Sequence, residues 1–184
     1  KPHQETPEFV NLKGALRPVY LAPLDKTDAE ALIQIPVLGR LSFEEPALQR
    51  IIELTGGKPS LIQIFCGHLC DLVPGEVEDS SESQITLTYL NSLWESELRN
   101  RVFESFDGAL RDFFESLQGD ERRVFGFLAH NPLATVNNIV EALGIQSAFA
   151  RKALHGLHRA HRIREADSGF YIGARIVEEY GALF

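Results

Sequence analysis

Methionine is absent from all 184 residues, although translation begins with one. The sequence is therefore expected to be a processed product or a piece of a longer protein, and the opening Lys1-Pro2-His3-Gln4 favours a piece. Cysteine is almost absent. Cys66 and Cys70 cannot build a disulfide framework, which points to a reducing compartment and a cytoplasmic location. No apolar run approaches the roughly 18 residues of a membrane span, and no signal peptide opens the chain, so no membrane partner is expected. Compositional bias is lacking too: 44% apolar and 24% charged residues describe a chain able to fold. The last absence is local, because no acidic residue occurs between Ala142 and Arg164.

That gap sits inside an uneven charge distribution. Residues 1–119 carry 10 Lys/Arg and 19 Asp/Glu, a net −9. Residues 120–184 carry 8 and 7, a net +1, with four of the six histidines. An acidic chain is no general nucleic-acid coat, but a local basic patch remains compatible with it.

The basic residues of the gap are ordered. On a helix turning about 100° per residue, Arg151, Lys152, His155, His158, Arg159 and Arg162 fall within an arc of about 120°. Ala150, Ala153, Leu154, Leu157 and Ala160 fill the opposite arc. Before this helix, Asp120 caps a helix to about His130, Asn131-Pro132 breaks it, and Thr135–Leu143 forms a second helix closed by Gly144. Ser147 caps the basic helix. After it, Arg162–Ala166 and Phe170–Ile172 flank Asp167-Ser168-Gly169 as a short hairpin, and a helix over 174–183 closes the chain. Three helices and a hairpin in this order read as a winged helix. The basic face, with Arg164 added from the hairpin, is how such a domain meets phosphate or enters a groove. Docking on an acidic domain is the competing use of the same face.

Upstream the pattern is helical. A lead-in over 1–24 carries a short strand at Val19-Tyr20-Leu21. Asp25 or Thr27 caps a helix ending at Pro36. Ser42-Phe43-Glu44-Glu45 reads as a capping box opening a helix to about Leu54. Gly56-Gly57 ends that helix and Pro59 begins the next, which runs to about Leu72. Residues 74–84 read as a solvated acidic loop. Helices containing Trp94 and spanning Phe106–Leu117 complete a subdomain over 25–117. The expected fold is mainly α: a helical lid-type subdomain, then a winged helix over 118–184.

Sites for chemistry are few. Thr55-Gly56-Gly57-Lys58-Pro59-Ser60 departs from the phosphate loop G-x-x-x-x-G-K-[ST]: a helix precedes it, and Pro59 stands where a hydroxyl residue with a free N–H is needed. Cys66 and Cys70 share a helix face, but His68 does not, so no metal set is read there. No nucleophile elbow occurs. Glu44/Glu45 and Glu178/Glu179 read as solvated faces. No catalytic residue is assigned.

The order of the parts resembles a known family. Leu21-Ala22-Pro23-Leu24-Asp25, Asp28-Ala29, Leu32-Ile33 and Pro36, then Phe43-Glu44-Glu45-Pro46-Ala47-Leu48, then Leu54-Thr55-Gly56-Gly57-Lys58-Pro59-Ser60-Leu61-Ile62-Gln63, and finally a winged helix, resemble the C-terminal half of STAND-type ATPases. These are relatives of the AAA+ and origin-recognition ATPases. The similarity covers most of residues 9–184, and the Gly-Gly-Lys-Pro block is its most specific part. The resemblance implies a lid and winged helix without the nucleotide-binding domain, which becomes the expected partner. By position it assigns Gly57, Lys58 and Pro59 to nucleotide binding, the proline near adenine. It implies ATP or ADP with magnesium in the parent protein and no cofactor within this segment. For the winged helix it implies restraint of the nucleotide state or contacts between domains rather than DNA reading, while the basic face itself leaves duplex DNA, a protein partner or self-assembly as the expected partners. The Met-His-Asp triplet of some members is missing, so no phosphate-sensing histidine is assigned. The alternative is a stand-alone winged-helix transcription regulator.

Overall fold

The computed structural model describes residues 22–73 and 82–181. The expected strand at residues 19–21, nearly all of the lead-in, and the acidic stretch 74–81 lie outside the described residues. What is described is mainly helical with two small sheets. Among the described residues no helix is long and apolar enough to cross a membrane.

Helix α1 (Lys26–Gln34) is opened by Asp25, whose carboxylate accepts the Asp28 N–H at 2.9 Å. It tightens into a 3₁₀ turn at Ile35–Val37, where Pro36 offers no donor. Strand β1 (Leu41–Phe43), helix α2 (Glu45–Thr55) and helix α3 (Pro59–Leu72) follow. Strand β2 (Ser83–Ile85) runs parallel to β1, Leu41 opposite Ser83 and Phe43 opposite Ile85.

The expected capping box therefore does not form. Ser42 is a strand residue, and Glu44 sits at the N-cap without a side-chain cap bond. The cause is the strand pairing. Glu44 N–H donates to the Ile85 carbonyl at 3.1 Å, which holds the chain extended up to the first turn of α2. Residues 83–84, read as loop, belong to β2 for the same reason.

Helix α4 (Leu87–Leu93) is capped by the Thr86 hydroxyl, which accepts the Tyr89 N–H at 3.2 Å. A π turn at Trp94–Leu98 then passes directly into helix α5 (Arg99–Ser116), so the helix expected from Phe106 begins earlier. Trp94, Leu98, Val102, Phe106 and Leu110 are all buried along this rod.

The second part holds helices α6 (Gly119–His130), α7 (Val136–Leu143) and α8 (Ser147–Arg159), strands β3 (Arg164–Ala166) and β4 (Gly169–Tyr171), and helix α9 (Arg175–Gly181). Thr135 and Asn138 form a reciprocal capping box on α7. Asp120 and Ser147 lie inside their helices, where Gln118 and Gln146 occupy the N-caps without side-chain bonds. Asp120 still favours the positive end of the α6 dipole. Helix α6 packs on α8, while α9 packs on α2, α5 and α6.

One cluster of buried side chains runs through both parts. Aromatic rings trace it: Phe65 on Trp94 at 5.7 Å, Phe103 on Tyr180 at 5.7 Å, Tyr180 on Phe114 at 5.9 Å, and Phe114 on Phe125 at 5.5 Å. Tyr180 Oη also donates to Asp107 Oδ1 at 2.6 Å, tying α9 to α5. That bond holds the Asp107 carboxyl below its ordinary range, helped by Arg111.

Candidate functional site

Helix α8 sorts its residues as its periodicity requires. Ala150, Ala153, Leu154 and Leu157 are buried against α6 and α7. Arg151, Lys152, His155, His158 and Arg159 are exposed. Among the described residues none of these five forms an ion pair. Arg151, His155 and His158 line a cleft of about 320 Å³ with Val136, Leu154, Glu165 and Phe170, so hairpin and helix share one surface. Strand β4 is anchored from its other side: Phe170 N–H donates to the Ala134 carbonyl at 2.9 Å, and the two residues form an antiparallel bridge.

Arg162 is not the sixth member of this face. Helix α8 stops at Arg159, and His161 adopts a left-handed backbone with φ of 52°. His161 N–H donates to the His158 carbonyl and Arg162 N–H to the Leu157 carbonyl, both at 2.9 Å. These two bonds make a Schellman termination, with histidine in the place usually held by glycine. A helix projection carried through Arg162 therefore fails, because the backbone has already reversed. Arg162 instead donates to Ser116 Oγ at 3.2 Å and lies 4.9 Å over the Phe113 ring. Arg164 also departs from the group. Its guanidinium donates to the Gly56 carbonyl at 2.8 Å, and its stem lies against Gly173. Five of the seven residues expected at a DNA face thus stand together, and the two hairpin-side arginines turn to the first part of the chain.

They turn to the Gly-Gly-Lys-Pro block. Gly56 and Gly57 both have left-handed backbones, φ 63° and 71°. A side chain at Gly56 would collide with the Gly173 carbonyl and come within 2.8 Å of Ala174 Cβ. A Cβ at Gly57 would sit 2.9 Å from the Leu24 carbonyl, and Leu24 N–H donates to the Gly57 carbonyl at 2.8 Å. Glycine is needed here twice over, for the φ and for the close approach. Lys58 is the N-cap of α3 and Pro59 its first residue. Burial, then the charges of Arg162 and Arg164, pull the Lys58 pKa below its ordinary 10.5. Gly57, Lys58 and Pro59 therefore lie at the seam where the lead-in, the helical part and the hairpin meet. Sequence reasoning missed Phe113, Ser116 and Gly173, which complete that seam. Only the doubled glycine signalled a close approach.

The other polar groups stand apart. Burial pushes the Cys66 thiol up to about 12, with Cys70 adding to the shift. His68 shares a 2.7 Å hydrogen bond with Ser105 across α3 and α5. Among the described residues no group of three His, Cys, Asp or Glu side chains is placed to hold a metal. Comparison of the chain with family models, with curated proteins and with solved structures gives no match.

Proposed function

We propose that residues 118–184 form a winged helix and residues 25–117 a lid-type subdomain, together the C-terminal regulatory part of a STAND/AAA+-like P-loop ATPase. In this reading the nucleotide-binding domain, with ATP or ADP and magnesium, belongs to the parent protein, and this cytoplasmic segment does not hydrolyse nucleotide. It couples nucleotide state through the lid to the winged helix, whose α8 face binds duplex DNA. The observation that carries the reading is the exposed face of Arg151, Lys152, His155, His158 and Arg159, without an ion pair among the described residues, on a helix that shares its surface with a hairpin. An isolated antiparallel bridge between Ala134 and Phe170 ties that hairpin to the chain just ahead of α7.

The seam gives the coupling a physical route. Gly57, Lys58 and Pro59 are the positions the resemblance gives to nucleotide. The adjoining Gly56 carbonyl is bonded to Arg164 of the hairpin at 2.8 Å. A shift of the α3 N-terminus therefore strains or frees the hairpin. The same bond favours a second reading, in which the winged helix meets only another domain and serves as an internal module.

Anisotropy titration of a labelled duplex separates the two. Arg151, Lys152 and Arg159 are permanent cations, so the DNA reading expects log Kd against log salt to have a slope of about 3 in magnitude. Arg151→Glu with Arg159→Glu should abolish binding. No salt-dependent binding by the unaltered chain would remove the DNA reading and leave the internal module. A parent gene with no G-x-x-x-x-G-K-[ST] ahead of this segment would remove the ATPase reading.

A further inference from the structure

Cys66 and Cys70 stand one turn apart on α3 and line a single cleft of about 420 Å³. Its opposite wall is α1 and the 3₁₀ turn, which supply Leu32, Ile33 and Val37. Arg40 is the one charged residue of the lining, and its guanidinium donates to the Cys70 carbonyl at 2.7 Å. Among the described residues Arg40 has no carboxylate partner. Asp71, next in sequence to Cys70, is exposed and is not part of the lining.

This geometry excludes one use of the two thiols and admits another. Helix positions four apart hold their Cβ atoms about 5–6 Å from each other. A disulfide needs about 3.5–4.5 Å, so the pair cannot close on itself without unwinding the turn. A metal bridge is longer. With metal–thiolate bonds of about 2.3 Å, a linear sulfur–metal–sulfur unit spans about 4.6 Å, which two side chains on one helix face can meet. No imidazole or carboxylate joins the lining, so an ion that requires three or four ligands is not served. Two sulfurs alone suit a soft monovalent cation. Burial raises both thiols above their ordinary range, so they stay protonated at neutral pH and are poor nucleophiles. A cation held by two thiolates carries a single net negative charge, and Arg40 supplies the opposite charge in the same cleft. The apolar wall limits access of water to the bridge.

We propose that Cys66 and Cys70 bind one copper(I) ion as a two-coordinate bis-thiolate, with Arg40 as the counter-charge. Binding forms two copper–sulfur bonds and releases two protons, one from each thiol, with no change of oxidation state. The site is separate from the α8 face and does not rest on the ATPase reading.

The test is anaerobic titration of this chain with copper(I) in competition with bathocuproine disulfonate, followed by X-ray absorption on the loaded protein. One copper should be retained per chain, with two sulfur neighbours and no nitrogen neighbour. Cys66→Ser and Cys70→Ser should each abolish retention, and Arg40→Gln should weaken it about threefold or more. His155→Gln with His158→Gln should leave it unchanged, which separates the cleft from adventitious binding by the histidines of α8. Silver(I), of the same charge and softness, should raise Tm by about 5–10 °C at about a hundredfold excess over Kd, and Cys70→Ser should lose that rise. Far-ultraviolet circular dichroism of the metal-free serine variants should match the unaltered chain, which separates loss of the site from loss of the fold. No retention against the chelator, retention by a folded serine variant, a nitrogen neighbour at the metal, or copper lost with the histidine pair would overturn the proposal.

Discussion

Gly56 and Gly144 offer a matched pair for measuring the seam. Both end a helix in the left-handed region, with φ/ψ of 63°/21° and 62°/31°. Their surroundings differ. A Cβ at Gly144 meets nothing within 4 Å, whereas one at Gly56 collides with the Gly173 carbonyl and meets Ala174 Cβ at 2.8 Å. Gly144→Ala should cost only the backbone strain, about 1 kcal/mol. Gly56→Ala should cost the same strain plus forced displacement of a packed backbone, about 1–3 kcal/mol more. Two-state urea unfolding at 25 °C measures both, and the difference isolates the contact between the α2–α3 junction and the loop before α9. In a chain of this size each kcal/mol moves Tm by about 2–4 °C, so the variants should separate by several degrees. Equal losses, within about 0.5 kcal/mol, would refute the close approach of Gly56 to Gly173 and the seam built on it.

Three further outcomes are expected. Lys58 has a depressed pKa in the fold, so the unfolded chain holds more protons between that value and 10.5; stability should rise with pH across this window, and Lys58→Gln should flatten the rise in pH-dependent urea midpoints. His161→Gly should raise stability by about 0.5 kcal/mol, since relief of left-handed strain at φ 52° exceeds the added backbone entropy; a loss would contradict the Schellman geometry. Asp107 is held below its ordinary range chiefly by Tyr180, so it contributes stability above the unfolded carboxylate pKa and loses it as pH falls through the folded one; the penalty of Tyr180→Phe in chemical unfolding should shrink over that acidic range, and a constant penalty would contradict the bond.

Helix positions and the two-sided character of α8 were legible in the order of residues alone. Apolar spacing needs only neighbours three and four apart, so Ala150, Ala153, Leu154 and Leu157 turned inward and Arg151, Lys152, His155, His158 and Arg159 outward as expected. The breaks at Pro36 and Gly56-Gly57 followed from backbone restrictions that those residues carry anywhere. The β1–β2 pairing did not follow, because it joins Leu41 to Ser83 through hydrogen bonds that neither segment announces. Nor did the end of α8, where histidine accepts a conformation that glycine normally marks. The fate of Arg162 and Arg164 was least accessible. A cation's sign can be read in one dimension, but its partner depends on which surfaces the folded core presses together, here across 108 positions between Gly56 and Arg164.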